Sequence, residues 1–349
     1  MKVYRVGKQG NLRSITLFHA MARLGYEGLI VTSPKETYVS VGYFDRTQDI
    51  VDLERCRELG LPVIRREVGG GAVLLDPDQV FYQIVMKRDS QKLPFRIEEA
   101  YRKFSKPVIE VYRRLGIEAE YRPINDIVVK KNQRKITGQG AADIERSFVF
   151  VGGILLRFNV DLMARIFRVP EEKFRDKIHK TLEDNITWVE RETGRKPSYE
   201  EVEDLLVEEF SKVLDLEGEG EVPEDAVELA DRLKHLFTSD EFLLEDTGRK
   251  HRTIKIREGV HVRNSVHKAK GGLIRAEVLI REGLIEDVRI RGDFTLYPKD
   301  SLDTLERSLI GVPFEREKIK EKIREFLRRE EVDFPGVSEE DLLKAIYGE

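Results

Sequence analysis

Two arginines followed closely by three glycines form the stretch of this chain best suited to bind an anion. The stretch reads Arg65-Arg66-Glu67-Val68-Gly69-Gly70-Gly71-Ala72-Val73. Glycine lets backbone N–H groups approach a ligand, and arginine offers a planar fork of donors, so the pattern predicts a phosphate or carboxylate site. A plain β-turn would use the same glycines, and the triplet alone leaves both interpretations open.

A second segment downstream adds an amide, a carboxylate and a lysine. Asn125-Asp126-Ile127-Val128-Val129 is followed by Arg134-Lys135-Ile136-Thr137-Gly138. The spacing places Lys135 between a short apolar strand and a predicted glycine turn. The charged run 130–134 before it is typical of a solvated turn, so Lys135 is the base of this segment that we expect to act on a ligand.

Together the two segments resemble the lipoate–protein ligase family. Its pattern is an arginine pair, Ser-Gly-Gly-Gly-Ala-Val-x-His-Asp, Asn-Asp, Lys-x-(Ser/Thr/Ala)-Gly and a Gly-Thr-Leu-Leu run, which here is Gly152-Gly153-Ile154-Leu155. Residues 271–274, 292–294 and 305–311 resemble the accessory domain of the long ligases. The resemblance implies an α+β fold, with a mixed-sheet catalytic domain of the biotin and lipoate ligase type and a smaller α+β C-terminal domain.

The resemblance also implies a chemistry, because these ligases convert a carboxylic acid to an acyl adenylate with ATP and Mg²⁺. The carboxylate must approach a polyanionic nucleotide, and a lysine between the two anions relieves their repulsion. Lys135 is the expected catalytic residue, and we expect Asp126 to hold Mg²⁺ while Asn125 orients it. The residues expected to contact nucleotide or acyl group are Arg66, Gly69, Gly70, Gly71, Ala72, Val73, Leu74, Asn125, Asp126 and Lys135.

Four positions depart from the family pattern, and each departure removes a polar group. Val68 replaces a serine, Leu75 and Val151 replace histidines, and Gly153 replaces a threonine. The charged residues survive. We therefore expect the adenylation chemistry to be kept and the acyl pocket to be more apolar or differently shaped, which leaves octanoate open as an alternative to lipoate.

The expected reaction makes lipoyl-AMP from lipoate and ATP and passes the lipoyl group to a lysine of a lipoyl-domain protein. By resemblance alone, the acceptors are the glycine-cleavage H protein or the acyltransferase subunit of 2-oxoacid dehydrogenases.

One alternative is another acyl ligase or a transferase of the same fold, although a thioester-forming transferase needs a cysteine that the single Cys56 does not match in position. The other alternative is a non-catalytic acyl- or nucleotide-binding relative, which the retained charges of Arg66, Asp126 and Lys135 disfavour.

Composition limits the class of protein. Lys plus Arg (61) nearly balance Asp plus Glu (65), so no overall field favours nucleic acid as a partner. We find no apolar run of membrane-spanning length and no apolar signal segment after Met1, and expect a cytoplasmic location. The length of 349 residues favours two domains, which we expect at 1–248 for catalysis and 249–349 for the accessory part.

Periodicity predicts the elements that position these residues. Strands are predicted at 37–41 and 80–86, with a helix between them that ends at Gly60 and buries Cys56. A longer helix runs from Ile97 to Leu115, with a predicted kink or break at Pro107. Further predicted features are a mainly helical stretch at 157–239 with a capping box at Ser198-x-x-Glu201, an exposed connection at 215–220, a β-hairpin at 274–290, and helices at 302–309, 319–327 and 342–347.

Overall fold

The computed structural model describes residues 1–90, 92–94, 96–169, 171, 174–244 and 260–348. The chain divides into two compact units. The first comprises Met1–Val41, Thr47–Glu67 and Ala72–Leu243, and the second comprises Gly42–Arg46, Val68–Gly71 and Leu244–Glu349. The expected boundary between residues 248 and 249 lies outside the described residues.

A mixed seven-stranded sheet forms the centre of the first unit, in the order β1-β2-β6-β10-β9-β8-β7, beside a three-stranded sheet in the order β4-β3-β5. The strands are β1 (Lys2–Gln9), β2 (Gly28–Pro34), β3 (Tyr38–Val41), β4 (Val63–Arg65), β5 (Val73–Leu75), β6 (Gln79–Lys87), β7 (Ala119–Arg122), β8 (Asp126–Val129), β9 (Lys135–Ile144) and β10 (Ser147–Leu155). In the large sheet β1 and β2 are parallel and the other neighbours are antiparallel. The strands predicted at 37–41 and 80–86 are confirmed as β3 and β6.

The helices of this part of the chain are α1 (Arg13–Leu24), α2 (Thr47–Ile50), α3 (Leu53–Glu58), α4 (Ile97–Arg114), α5 (Val160–Ile166), α6 (Arg175–Asn185), α7 (Val189–Thr193), α8 (Tyr199–Ser211), α9 (Glu224–Phe237) and α10 (Asp240–Leu244). Strand β6 is buried along nearly its whole length because helices cover both faces of the large sheet. On one face Gln83 donates to Ser14 O of α1, and on the other the Tyr82 ring packs on Phe210 of α8. None of the helices in the described residues is long and apolar enough to cross a membrane.

Three helix predictions need correction. Helix α4 continues without a break through Pro107, because buried residues such as Phe104 and Val108 hold both halves in the core, and the alternative of a kink stays a prediction. Ser198 caps α8 by accepting the Glu201 N–H at 3.1 Å, but the Glu201 carboxylate pairs with Arg195, so the capping box is not formed. The helix predicted before Gly60 is divided into α2 and α3.

One edge of the large sheet is covered by the run predicted as an exposed connection. The N–H of Val3 in β1 donates to Gly218 O at 2.9 Å, and the Gly220 N–H donates to Val3 O at 2.8 Å. Residues 217–219 are exposed, as expected, but their backbone also pairs with β1.

The second unit is a small α+β structure. It contains β11 (Val260–Ala269), β12 (Gly272–Arg281), β13 (Leu284–Gly292), α11 (Ser301–Leu309), α12 (Arg316–Leu327) and α13 (Glu339–Tyr347). The three strands form an antiparallel sheet in sequence order, which confirms the predicted hairpin and the three predicted helices. Phe44, from the segment Gly42–Arg46, joins this unit's core with its ring 5.0 Å from that of Phe294.

Gly152→Ala should destabilise the first unit. Gly152 lies opposite Tyr82 across β10 and β6, and a Cβ at this position would overlap the Tyr82 hydroxyl group. Tyr82 is fully buried, so the clash would force a core side chain to move, at a cost of about 1–3 kcal/mol in the free energy of unfolding. Urea denaturation followed by circular dichroism measures this change.

Gly10→Ala is the matched control, because its added Cβ would lie an ordinary 3.5 Å from Glu36 Oε2. An unfolding midpoint of Gly152→Ala equal to that of Gly10→Ala would contradict the packing argument.

Candidate active site

The candidate site is built around an ion pair between neighbouring strands. Lys135 begins β9 and Asp126 begins β8, and Lys135 Nζ lies 2.7 Å from Asp126 Oδ1. The amine lies over Gly138, where an added Cβ would be 3.0 Å from Nζ. The predicted glycine turn is therefore wrong: Gly138 lies within β9, and its missing side chain leaves the space that the Lys135 amine occupies.

Arg122 is a third charged member of this cluster that the sequence did not reveal. It lies opposite Asp126 in the pairing of β7 with β8, and its Nη2 is 3.0 Å from Asp126 Oδ2. Its Nη1 donates to Gln133 O at 3.3 Å. One carboxylate thus lies between two cations, so the cluster carries a net positive charge. The only sequence signal was the tight hairpin spacing Arg122-Pro123-Ile124-Asn125-Asp126.

A buried network fixes the turn that carries Asp126. Asn125 Nδ2 donates to Gln139 O at 2.8 Å, and the Gln139 N–H donates to Asn125 O at 2.9 Å. The Gln139 side chain donates to the Tyr82 hydroxyl at 2.9 Å and accepts from Ser105 Oγ at 2.6 Å. Asn125 therefore holds the turn through its amide, and the neighbouring carboxylate is positioned by the sheet itself.

Strand β9 is also held at the lysine. Thr137 Oγ1 donates to Gly153 O at 3.0 Å and lies 2.5 Å from the hydroxyl of the fully buried Tyr112. Burial raises the pKa of the Tyr112 hydroxyl, which therefore stays protonated. On the other side the Thr187 N–H donates to Lys135 O at 2.9 Å. The lysine backbone is fixed, while its side chain is 38% exposed and within reach of a ligand.

The donor set fits a magnesium ion that is shared with a ligand. Within the described ranges, no three His, Cys, Asp or Glu side chains are close enough to hold a metal between them. Among the described residues, Asp126 is the carboxylate that pairs with both cations of the cluster. Mg²⁺ is commonly held by one or two carboxylates together with substrate phosphates, which is compatible with this arrangement.

In the small sheet of the first unit, β5 contains Val73 and Leu74, whereas Arg66 directly follows β4 and Ala72 directly precedes β5. Arg66 is buried, and its Nη1 donates to Ser40 O at 3.0 Å and lies 3.2 Å from Ser40 Oγ. Arg65 instead donates to Phe242 O at 3.1 Å and stacks over the Phe242 ring, which is a packing role. Leu74 is buried in the core, whereas Val73 is exposed and Ala72 is half-buried.

The glycine triplet belongs to the second unit, where packing accounts for Gly69 and backbone conformation for Gly70. The Gly70 N–H donates to Phe294 O at 3.3 Å. A Cβ at Gly69 would lie 2.7 Å from the same oxygen, and one at Gly42 would overlap Gly70 O. Gly70 has a φ of 87°, which favours glycine. Close packing thus provides a reason for these glycines that does not require an anion, and their predicted contact with phosphate stays a prediction.

The single cysteine of the chain packs in an apolar core. Cys56 is fully buried on α3, as predicted, in a core cluster with Val39, Val41 and Leu74. Burial, with a smaller contribution from Asp52, raises the pKa of the thiol to about 11. Since the thiolate is the nucleophilic form, this thiol is inert at neutral pH.

The first unit also contains a cavity of about 650 Å³. Asp76, Asp78, Arg157, His179 and Trp188 are among the residues that line it. Burial raises the pKa of the Asp76 carboxyl to about 6. Among the described lining residues, none belongs to the predicted site.

Comparison with known proteins identifies the two regions. Residues 16–211 match the model of the lipoyl protein ligase A/B catalytic domain, and residues 261–346 match that of the bacterial lipoate protein ligase C-terminus. The chain is 25% identical to lipoate-protein ligase LplJ of Bacillus subtilis over 310 residues, covering 88% of each chain. It is 29% identical to octanoyltransferase LipM of Oceanobacillus iheyensis over 198 residues, covering 52% of this chain and 71% of LipM.

A solved structure shares the fold. It shows a bipartite lipoate protein ligase and its E2 lipoyl domain from Thermoplasma acidophilum, with a TM-score of 0.62 and 25% identity over 72% of this chain and 98% of that chain. The expected mixed-sheet ligase fold and the separate C-terminal domain with its antiparallel sheet are confirmed. The chain therefore belongs to the lipoyl protein ligase A/B family, whose members include lipoate ligases and octanoyltransferases.

Proposed function

We propose that this protein is an ATP-dependent lipoate–protein ligase, which forms lipoyl-AMP and transfers the lipoyl group to a lysine of a lipoyl-domain protein. The observation that carries the choice of ligase over transferase is the burial of Cys56. A thioester-forming transferase needs a thiolate that substrate can reach, whereas this chain has a single cysteine whose pKa is raised to about 11.

The extent of the matches supports the same choice. The ligase LplJ aligns with 88% of this chain, so its match must extend into the region that matches the lipoate protein ligase C-terminus, whereas LipM aligns with 52%. The similarity to LipM therefore reflects the shared catalytic domain, which both kinds of enzyme need.

The charged cluster suits adenylation. The Lys135 amine would lie between the carboxylate and the α-phosphate and offset both the initial repulsion and the charge that develops on the phosphorus oxygens. Asp126 would hold Mg²⁺ together with phosphate oxygens, and Asn125 would keep the turn in place. The metal, when bound, neutralises phosphate charge. Arg66 is proposed to bind acyl-phosphate or nucleotide oxygens.

The proposed acceptors are lipoyl-domain proteins, either the glycine-cleavage H protein or the acyltransferase subunit of a 2-oxoacid dehydrogenase. The Thermoplasma acidophilum ligase in the solved structure is described together with its E2 lipoyl domain, which supports an acceptor of this type.

Octanoate is the second candidate acid. Leu75 and Val151 are apolar and half-buried, in place of the family's histidines, and a less polar pocket suits a simple fatty acid. Incubating the protein with ATP, Mg²⁺, an apo lipoyl domain and either acid, followed by intact mass spectrometry of the acceptor, tests both candidates. An ATP-dependent mass gain supports a ligase and identifies its preferred acid; no gain with either acid contradicts the proposal.

Lys135→Ala should abolish acyl-adenylate formation, with a loss of at least about 100-fold, because the charge between the two anions is removed. The exposed pair of Lys130 with Glu118 on the same hairpin provides the control Lys130→Ala, which should keep full activity. Pyrophosphate release measures both variants. Normal release by Lys135→Ala would rule out its proposed role.

Gly138→Ala should lower the rate of adenylation while the fold is kept. The new Cβ would lie 3.0 Å from both Cε and Nζ of Lys135, so the flexible amine must move away from Asp126. Pyrophosphate release reports the rate, and thermal unfolding reports the fold. An unchanged rate would show that the position of the amine over Gly138 is unimportant for the reaction.

Cys56→Ala should keep ATP-dependent activity, and the native wild-type thiol should resist iodoacetamide at neutral pH because it is buried and protonated. Acceptor mass and protein mass measure the two effects. Loss of activity in a variant that still folds, together with rapid labelling of the native thiol, would favour a transferase instead.

A further inference from the structure

We infer that Arg122 is a further anion-binding residue, which binds a phosphate group of the nucleotide when Asp126 takes up a divalent cation. The inference rests on the proposed function and assigns a role to a residue outside the expected site.

The starting observation is that two cations share one carboxylate. Asp126 contacts Lys135 through Oδ1 at 2.7 Å and Arg122 through Oδ2 at 3.0 Å. The side chains of Arg122 and Lys135 are 44% and 38% exposed, against 21% for Asp126. The two cations are therefore open to a ligand, while the carboxylate lies deeper between them.

An ordinary surface ion pair would need no further explanation, since such pairs contribute little to stability. Here the pair is part of an unbalanced group, because a single negative charge faces two positive ones. The position of Arg122 is also set by the backbone, as it lies opposite Asp126 in the strand pairing and donates to Gln133 O at 3.3 Å. A fixed guanidinium next to an excess of positive charge favours the binding of an anion.

Binding of a divalent cation would change the partners of this group. A metal ion at Asp126 takes carboxylate oxygens that Lys135 and Arg122 now contact, so both cations need another anion. Phosphate oxygens of a nucleotide meet that need, and a guanidinium can bind them through two parallel hydrogen bonds. Lys135 would then neutralise the reacting phosphate, and Arg122 would hold the nucleotide from the β7–β8 hairpin.

Isothermal titration calorimetry with pyrophosphate and with ATP, each with Mg²⁺, tests this inference. Arg122→Ala should weaken binding about tenfold, the typical effect of losing a charged hydrogen bond. Arg122→Lys should restore part of the affinity. Lys130→Ala removes another exposed cation of the neighbouring hairpin and should leave the affinity unchanged. Without Mg²⁺ the effect of Arg122→Ala should shrink, because Arg122 remains paired with Asp126.

The inference is overturned if Arg122→Ala binds both ligands within about twofold of the wild type, or if the wild type binds neither. Thermal unfolding of each variant checks that the fold is intact, and Arg122→Gln replaces Arg122→Ala if the latter does not fold. Acceptor lipoylation separates the two hypotheses. Lipoylation without an Arg122 effect on binding contradicts only this inference, whereas Arg122-dependent pyrophosphate binding without acceptor modification contradicts only the ligase.

Discussion

The candidate site depends on one buried amide, Gln139. Its side chain joins α4 to β6 through Ser105 and Tyr82, and its backbone exchanges hydrogen bonds with Asn125 at the start of β8. A buried amide that lost these partners would cost free energy, so the network holds a single arrangement of the strands. The charged side chains of Lys135 and Arg122 can then stay exposed, because this network fixes the backbone near them.

Part of this site could be predicted from the sequence. The Asn-Asp pair and the lysine nine residues after Asp126 match a family pattern, and the structure brings Asp126 and Lys135 into contact. The role of Gly138 was misjudged, because glycine is a turn signal in a local pattern and only the position of the Lys135 amine shows why a strand needs it here. Arg122 was missed for a similar reason, since its partner is defined by strand register.

The same limit applies to the fold. The sequence predicts strands with dense apolar residues, such as β6, and amphipathic helices, such as α11 and α12. In each of these elements the pattern of apolar residues indicates which side chains are buried. Strand β11 was not predicted, since Val262 and Val266 are exposed and lie among polar residues. In the glycine triplet, a local pattern suggested a function although packing also explains part of it. The pattern is typical of anion sites, but Gly69 also packs against Phe294, which lies over two hundred residues away in the chain.

The pairing of residues 217–220 with β1 also affects how copies of this protein behave towards each other. An uncovered edge strand offers unpaired N–H and C=O groups to any other chain, which is a common start of aggregation. Here the N-terminal end of β1 pairs at Val3 with a segment of the same chain, and the opposite edge strand, β7, is only four residues long and carries Glu120 and Arg122. The large sheet is thus partly covered at one edge and has a short, charged strand at the other, and both features disfavour edge-to-edge association at high concentration.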